Sequence, residues 1–184
     1  MKVNWFVGDI TSCTADALVN AANPSLLGGG GVDHAVHSAA GPELKKACRL
    51  IPEVQPGIRC RPGRATSTPG FDLMAPFVIH TVGPIFPAGR DPMHQGEIKY
   101  ATEAEAEVVL ASCVRSCLQE ALKVGASSVV FPAISCGHYG CSPRTFAGVA
   151  RKVLGEKKWG IEEIDFVLYF QEEFELFEEG WGTL

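Results

Sequence analysis

The chain has 184 residues, 46% hydrophobic and 20% charged, which suits one globular domain with a sizeable core. Its net charge of −5 argues against a nucleic-acid partner held on a broad basic face, and no apolar run approaches the roughly 18 residues of a membrane span. Seven cysteines, an odd number without a Cys-x-x-Cys pair, and an N-terminus with no signal-peptide pattern lead us to expect reduced thiols and a cytoplasmic location.

In chain order, Val3 to Val7 reads as a strand closed by Gly8-Asp9, and Ala17 to Val19 as a short apolar strand leading into Asn20. A glycine run, Gly28 to Gly31, precedes a helix from Val32 to Ala40. Gly41-Pro42 breaks that helix and opens a second one through Leu50. Ile51 to Gly63 is rich in Pro and Gly and reads as a loop. Ala65 to Thr68 is a weak strand, and Phe77 to Val82 a strong one ended by Gly83-Pro84. Phe86 to Gly96 is irregular, and Tyr100 to Val124 is the longest helix. Ser127 to Phe131 is a buried-type strand, and Ser142-Pro143 opens a helix to about Glu156, with Ser as N-cap and Pro at its first position. Ile164 to Phe170 is the last strand, and an acidic helix from about Glu172 to Glu179 follows. Alternating strands and helices, with several strands continuously apolar, predict an α/β domain with helices on both faces of a mixed or mostly parallel sheet. Ligands of such sheets sit beyond the carboxyl ends of strands, so the loops after Val7, Val19, Val82, Phe131 and Phe170 are the informative ones.

Four consecutive glycines are costly in folding entropy and suit a backbone that must bend with positive φ or let a ligand approach. This run leads into a helix N-terminus, so free N–H groups can hold an anion such as a pyrophosphate without Lys or Arg. Asp33 has two readings: a cap for the helix, or a carboxylate that positions or activates water. Asn20 and Asn23 likewise have two: amides that bond ribose hydroxyls, or Asx bonds that stabilise the turn. The stretch Phe131 to Gly140 offers a second nest of N–H groups, with Tyr139 able to pack over a sugar. His138 lacks a paired nucleophile, Cys136, His138 and Cys141 do not follow a zinc spacing, and His80 reads as a hydrogen-bonded core histidine. Walker A, Rossmann, GxSxG and Ser-His-Asp patterns are absent.

Gly8-Asp9-Ile10-Thr11, Val19-Asn20-Ala21-Ala22-Asn23, Gly28 to Asp33 with Ala35, His37 and Ala39-Ala40-Gly41, Ile79 to Pro84 and the Phe131 to Gly140 loop together resemble the macrodomain signature. The likeness runs in order from about Val3 to Tyr169, and its nearest subgroup is the MacroD-type hydrolases, which include O-acetyl-ADP-ribose deacetylases. The resemblance implies a three-layer α/β/α sandwich around a mixed six-stranded sheet, making one domain of the whole chain. It implies ADP-ribose and its derivatives, and mono-ADP-ribosylated proteins, as partners, with no cofactor and no metal. It gives Asp9 and Ile10 to adenine, Asn23 to the distal ribose, and Gly30, Gly31 and Val32 to the phosphates and ribose. Asp33 becomes the catalytic carboxylate, with Asn23 as a second catalytic residue, and Asn20 joins the ligand-binding set. Ser135, Cys136, Gly137, His138, Tyr139 and Gly140 form the second phosphate and ribose loop, and Tyr169 packs on adenine. The activity implied is hydrolysis of mono-ADP-ribose from acidic side chains or of the acetyl group of O-acetyl-ADP-ribose. A non-catalytic ADP-ribose reader and an ADP-ribose 1″-phosphate phosphatase are the alternatives.

Three positions depart from that pattern. His34 stands where a smaller residue is expected, so its ring is a candidate to narrow the site or touch substrate. Cys141-Ser142-Pro143 replaces a Tyr-Pro ending, and Phe86 to Glu107 is long enough to be a lid or a surface excursion.

Overall fold

The computed structural model describes residues 1–182. Six strands, β1 (Lys2–Val7), β2 (Ala17–Ala21), β3 (Ala65–Pro69), β4 (Phe77–Thr81), β5 (Ser128–Pro132) and β6 (Glu163–Leu168), form one sheet in the order β1-β6-β5-β2-β4-β3. All neighbours are parallel except β3, which runs antiparallel to β4 at the edge. The helices are α1 (Val32–Ala40), α2 (Pro42–Leu50), α3 (Glu103–Lys123), α4 (Pro143–Gly155) and α5 (Gln171–Gly182).

Strand alternation divides the interior into two cores. Along β2, Leu18 packs with Val36, Leu44, Val78 and Val130 on the face covered by α1 and α2. Its neighbours Ala17 and Val19 point the other way, into a larger core of Leu110, Val114, Phe146, Phe166 and Phe177 under α3, α4 and α5. Helices on both faces explain why the central strands read as apolar runs and not as alternating ones. The chain is therefore the expected α/β/α sandwich with a mixed six-stranded sheet.

Local chemistry sets the helix ends. Thr102 and Glu105 form a reciprocal capping box, with Glu105 N donating to Thr102 Oγ1 at 3.3 Å and Thr102 N to Glu105 Oε2 at 3.2 Å, which starts α3 three residues after Tyr100. Ser142 accepts from Arg144 N at 3.3 Å, with Pro143 as the first residue of α4. Sequence periodicity also misplaces the end of the last strand. The last strand ends at Leu168, and not at Phe170, because Glu173 Oε2 accepts from Tyr169 N at 3.0 Å and Phe170 N at 3.2 Å and draws the chain into α5.

Five parallel strands deliver the segments that follow them to one edge of the sheet. The turn after β1, the glycine loop after β2, the long stretch after β4, the loop after β5 and the two aromatics after β6 therefore meet.

Candidate functional site

These segments enclose a cavity of about 600 Å³. Of the residues singled out in the sequence, Asp9, Ile10, Asn23, Gly30, Gly31, Val32, Asp33, Ser135, Cys136, Gly137, His138, Tyr139 and Tyr169 line it. Asn20 and Gly140 do not.

The glycine loop is held from within. Asn23 Nδ2 donates to Gly28 O at 3.1 Å, and Asn23 Oδ1 accepts from Ser25 N at 3.0 Å and Ser25 Oγ at 2.7 Å. Asn23 thus makes the Asx bonds that stabilise the turn while still facing the cavity. Gly31 has φ 60° and ψ −134°, a conformation open only to glycine, and it forms the start of α1 without a side-chain cap. The first-turn amides of α1 are thereby left for an anion where Gly31, Val32 and Asp33 line the cavity.

The cap reading of Asp33 fails on geometry. Asp33 is the second residue of α1, and its side chain makes no cap hydrogen bond. Oδ1 instead accepts from Asn20 Nδ2 at 2.7 Å, while Oδ2 has no partner among the described residues, although Asp33 is only 2% exposed. Burial pushes the Asp33 carboxyl up from its ordinary pKa, and the Asn20 hydrogen bond opposes that shift. His37 Nε2 comes within 3.4 Å of Oδ1. Burial pushes the imidazole pKa down despite the pull of Asp33, which disfavours a charged ring at this contact.

Asn20 is corrected from ligand contact to support. It is fully buried behind Asp33, and its amide nitrogen reaches both Asp33 Oδ1 and, at 3.2 Å, His80 Nδ1. With Nδ1 accepting, the ring proton sits on Nε2 and is donated to Thr68 Oγ1 at 2.9 Å. Burial holds the His80 pKa at about 3, so the ring is neutral, as a core histidine should be. The chain Thr68–His80–Asn20–Asp33 runs from the sheet into the cavity wall and sets the orientation of the carboxylate.

Opposite lies the loop after β5. Ser135 adopts φ 65°, uncommon for a residue with a side chain, and its Oγ donates to Pro84 O at 2.9 Å. Gly140 is excluded from the cavity because it lies against Gly89: a Cβ there would meet Gly89 N at 2.3 Å. The stretch after β4 is fastened to this loop, with Phe86 N donating to Tyr139 O at 2.8 Å and Arg90 N to His138 O at 2.9 Å. At its centre is Glu97, which the sequence reading missed. Its carboxylate accepts from Arg90 Nη1 at 2.9 Å and Nη2 at 2.7 Å, Tyr139 Oη at 2.6 Å, Met93 N at 2.7 Å and His94 N at 3.1 Å. Neither a loose excursion nor a detached lid, this strap brings Arg90, His94 and Glu97 to the cavity. Their only sequence signal was the length of the stretch.

At the other end, Asp9 Oδ1 accepts from Thr11 N at 2.9 Å and Thr11 Oγ1 at 2.7 Å, which caps the short turn holding Ile10. Tyr169 and Phe170, edge to face with centroids 4.9 Å apart, stand 68% and 59% exposed as an open aromatic wall. Phe170 and Glu173 were also missed, since they follow from where β6 stops. Burial, reinforced by Cys141, raises the Cys136 thiol pKa well above the ordinary value, which disfavours the thiolate. His34 lies outside this cavity, in a neighbouring depression.

A family model described as Macro domain matches residues 19–150, the segment that holds the glycine loop, Asp33, the strap and the loop after β5. The chain belongs to the macro domain family. This macrodomain is 40% identical to an O-acetyl-ADP-ribose deacetylase of Cronobacter turicensis, with 98% of the chain and 96% of the relative covered. It is 49% identical to a macro domain-containing protein of Xanthomonas campestris, over 76% of the chain and 71% of the relative. Among solved structures it resembles an Oceanobacillus iheyensis macrodomain with ADP, at 36% identity and TM-score 0.80, covering 96% of this chain and 87% of that one. A Trypanosoma brucei macrodomain in complex with ADP-ribose aligns at 32% identity and TM-score 0.76, covering 98% and 69%.

Proposed function

We propose that the macrodomain binds ADP-ribose in this cavity and hydrolyses acyl derivatives of its distal ribose, namely O-acetyl-ADP-ribose and mono-ADP-ribose linked to acidic side chains. One observation carries the reading: Asp33 is buried at the cavity wall, with Oδ1 held by Asn20 and Oδ2 without a partner among the described residues. The tyrosine and phenylalanine after β6 offer an aromatic face for adenine. The α1 N-terminus and the loop after β5 offer backbone donors for the diphosphate, a means of holding an anion that suits a chain of net charge −5. Relatives named as O-acetyl-ADP-ribose deacetylases point to the same chemistry.

In the hydrolysis, Asp33 takes a proton from water as the water oxygen bonds to the acyl carbon of the ester, or to the anomeric carbon of a protein-linked ribose. At the acyl carbon the acyl carbon–oxygen bond breaks and the ribose oxygen takes up that proton; at the anomeric carbon the ribose carbon–oxygen bond breaks, the side-chain carboxylate leaves as an anion, and the proton passes from Asp33 to solvent. A carboxylate whose pKa is raised by burial is a better base than a solvated one. The Asn20 hydrogen bond favours the ionised form and aims it. We place this activity in a reducing, cytoplasmic setting, in keeping with an odd number of cysteines and no Cys-x-x-Cys pair in the sequence.

The test combines calorimetry with turnover. Wild-type protein is expected to bind ADP-ribose and to release product from both O-acetyl-ADP-ribose and a glutamate-linked mono-ADP-ribosylated protein. Asp33→Ala is expected to keep binding and lose roughly 10²- to 10⁴-fold in rate. Binding without release from either substrate by wild type would leave a reader module, and undiminished cleavage by Asp33→Ala would remove Asp33 from the chemistry.

A further inference from the structure

Across Gly29 from the main cavity lies a second depression, of about 280 Å³, lined by Leu27, Gly28, Gly29, His34, His37 and Lys45. Gly29 lines both spaces, and a Cβ on it would lie 3.1 Å from Asp33 Oδ2, so the two meet beside the unpartnered oxygen. Three nitrogen-bearing side chains and no carboxylate line the depression, in a chain whose net charge is −5. His37 Nε2 has no hydrogen-bond partner among the described residues, although its side chain is only 12% exposed. Lys45 makes no ion pair among the described residues, whereas Lys46 beside it pairs with Glu43 at 2.5 Å.

We propose that this depression receives the polypeptide side of the substrate and binds acidic residues that flank the ADP-ribosylated carboxylate. The inference rests on reading the main cavity as the ADP-ribose site. The bond to be cleaved then lies near Asp33, where Gly29 divides the two spaces. A small acetyl group ends there, whereas a polypeptide must continue outward. His34 and Lys45 meet it with positive or hydrogen-bond-donating groups, and the acid released on cleavage is itself an anion. His34, the ring that stands in place of a smaller residue, thereby contributes to choice of acceptor and not to ADP-ribose binding.

The experiment measures binding on an Asp33→Ala background, which keeps the substrate intact. The probes are a fluorescent glutamate-linked mono-ADP-ribosylated peptide with acidic flanks, the same peptide with Gln and Asn flanks, and free ADP-ribose. Lys45→Glu is expected to weaken the acidic-flank peptide by roughly fivefold, a loss typical of exposed charge pairs. Its affinity for free ADP-ribose stays unchanged, which also confirms folding. The preference for acidic flanks is expected to vanish near 1 M salt, where the screening length falls to about 3 Å. Equal loss for acidic and neutral peptides, or no loss for either, would overturn the proposal while leaving the ADP-ribose reading intact. Failure of wild type to bind ADP-ribose would overturn both.

Discussion

Glu97→Gln tests whether the strap is a structural part of the site. The Glu97 side chain is 0% exposed and its partner Arg90 is 23% exposed. Burial by itself would push the Glu97 carboxyl up, but donors from Arg90, Tyr139 and the amides of Met93 and His94 outweigh it and hold the pKa at about 2, against an ordinary 4.5. A difference of that size corresponds to about 3 kcal/mol of stabilisation of the charged form. Solvent at the Arg90 edge screens part of it, leaving about 2 kcal/mol. For a domain of this size the variant is expected to melt about 4–8 °C lower at pH 7. A depressed carboxyl pKa stabilises the fold fully above the ordinary value and ceases to as pH falls through the folded one. The contribution is therefore complete above 4.5 and disappears towards about 2. At pH 3 the deficit of the variant is expected to shrink to roughly half or less. Differential scanning calorimetry of both proteins at pH 7 and pH 3 measures this. An equal deficit at the two pH values, or none at pH 7, would refute the charged hub. Because Tyr139 Oη donates to the same carboxylate, ADP-ribose affinity is expected to fall along with stability.

Asn20→Ala removes the hydrogen bond that opposes the effect of burial on Asp33, so the acid limb of the kcat/KM profile is expected to move to higher pH. Its kcat should drop on the order of tenfold or more, and an unmoved limb in a pH–rate profile would deny Asn20 its positioning role. Gly29→Ala places a Cβ 3.0 Å from Asn23 Nδ2 and 3.1 Å from Asp33 Oδ2. Turnover is expected to fall by on the order of tenfold with little change in the ADP-ribose Kd, and steady-state kinetics beside calorimetry would expose the opposite pattern.

Much of the architecture follows from local features of the chain. The order of strands and helices, the break at Gly41-Pro42 and the Ser142-Pro143 helix start all lie where period, caps and turn residues place them. The run Ile164 to Phe170 is different. It is apolar and aromatic almost throughout, so nothing in it marks Leu168 as the end of the strand. Glu173 decides that by accepting from the two amides that follow. Tyr169 and Phe170 become a cavity wall for this reason alone.

The functional loops divide in the same way. Sequence by itself determined that a glycine run would meet a helix N-terminus, because backbone freedom and unpaired N–H groups are properties of a few adjacent residues. It left Asp33 open between cap and reactive carboxylate, since either role places an acid in the first turn. Tertiary structure removed the cap reading by bringing Asn20 to 2.7 Å of one oxygen and leaving the other without a partner among the described residues. It also turned His34 away from the main cavity and made Glu97 a hub for partners up to 42 positions away. Such contacts depend on how the sheet and its loops are stacked, and residues far apart in the chain carry no local mark of the neighbours they acquire.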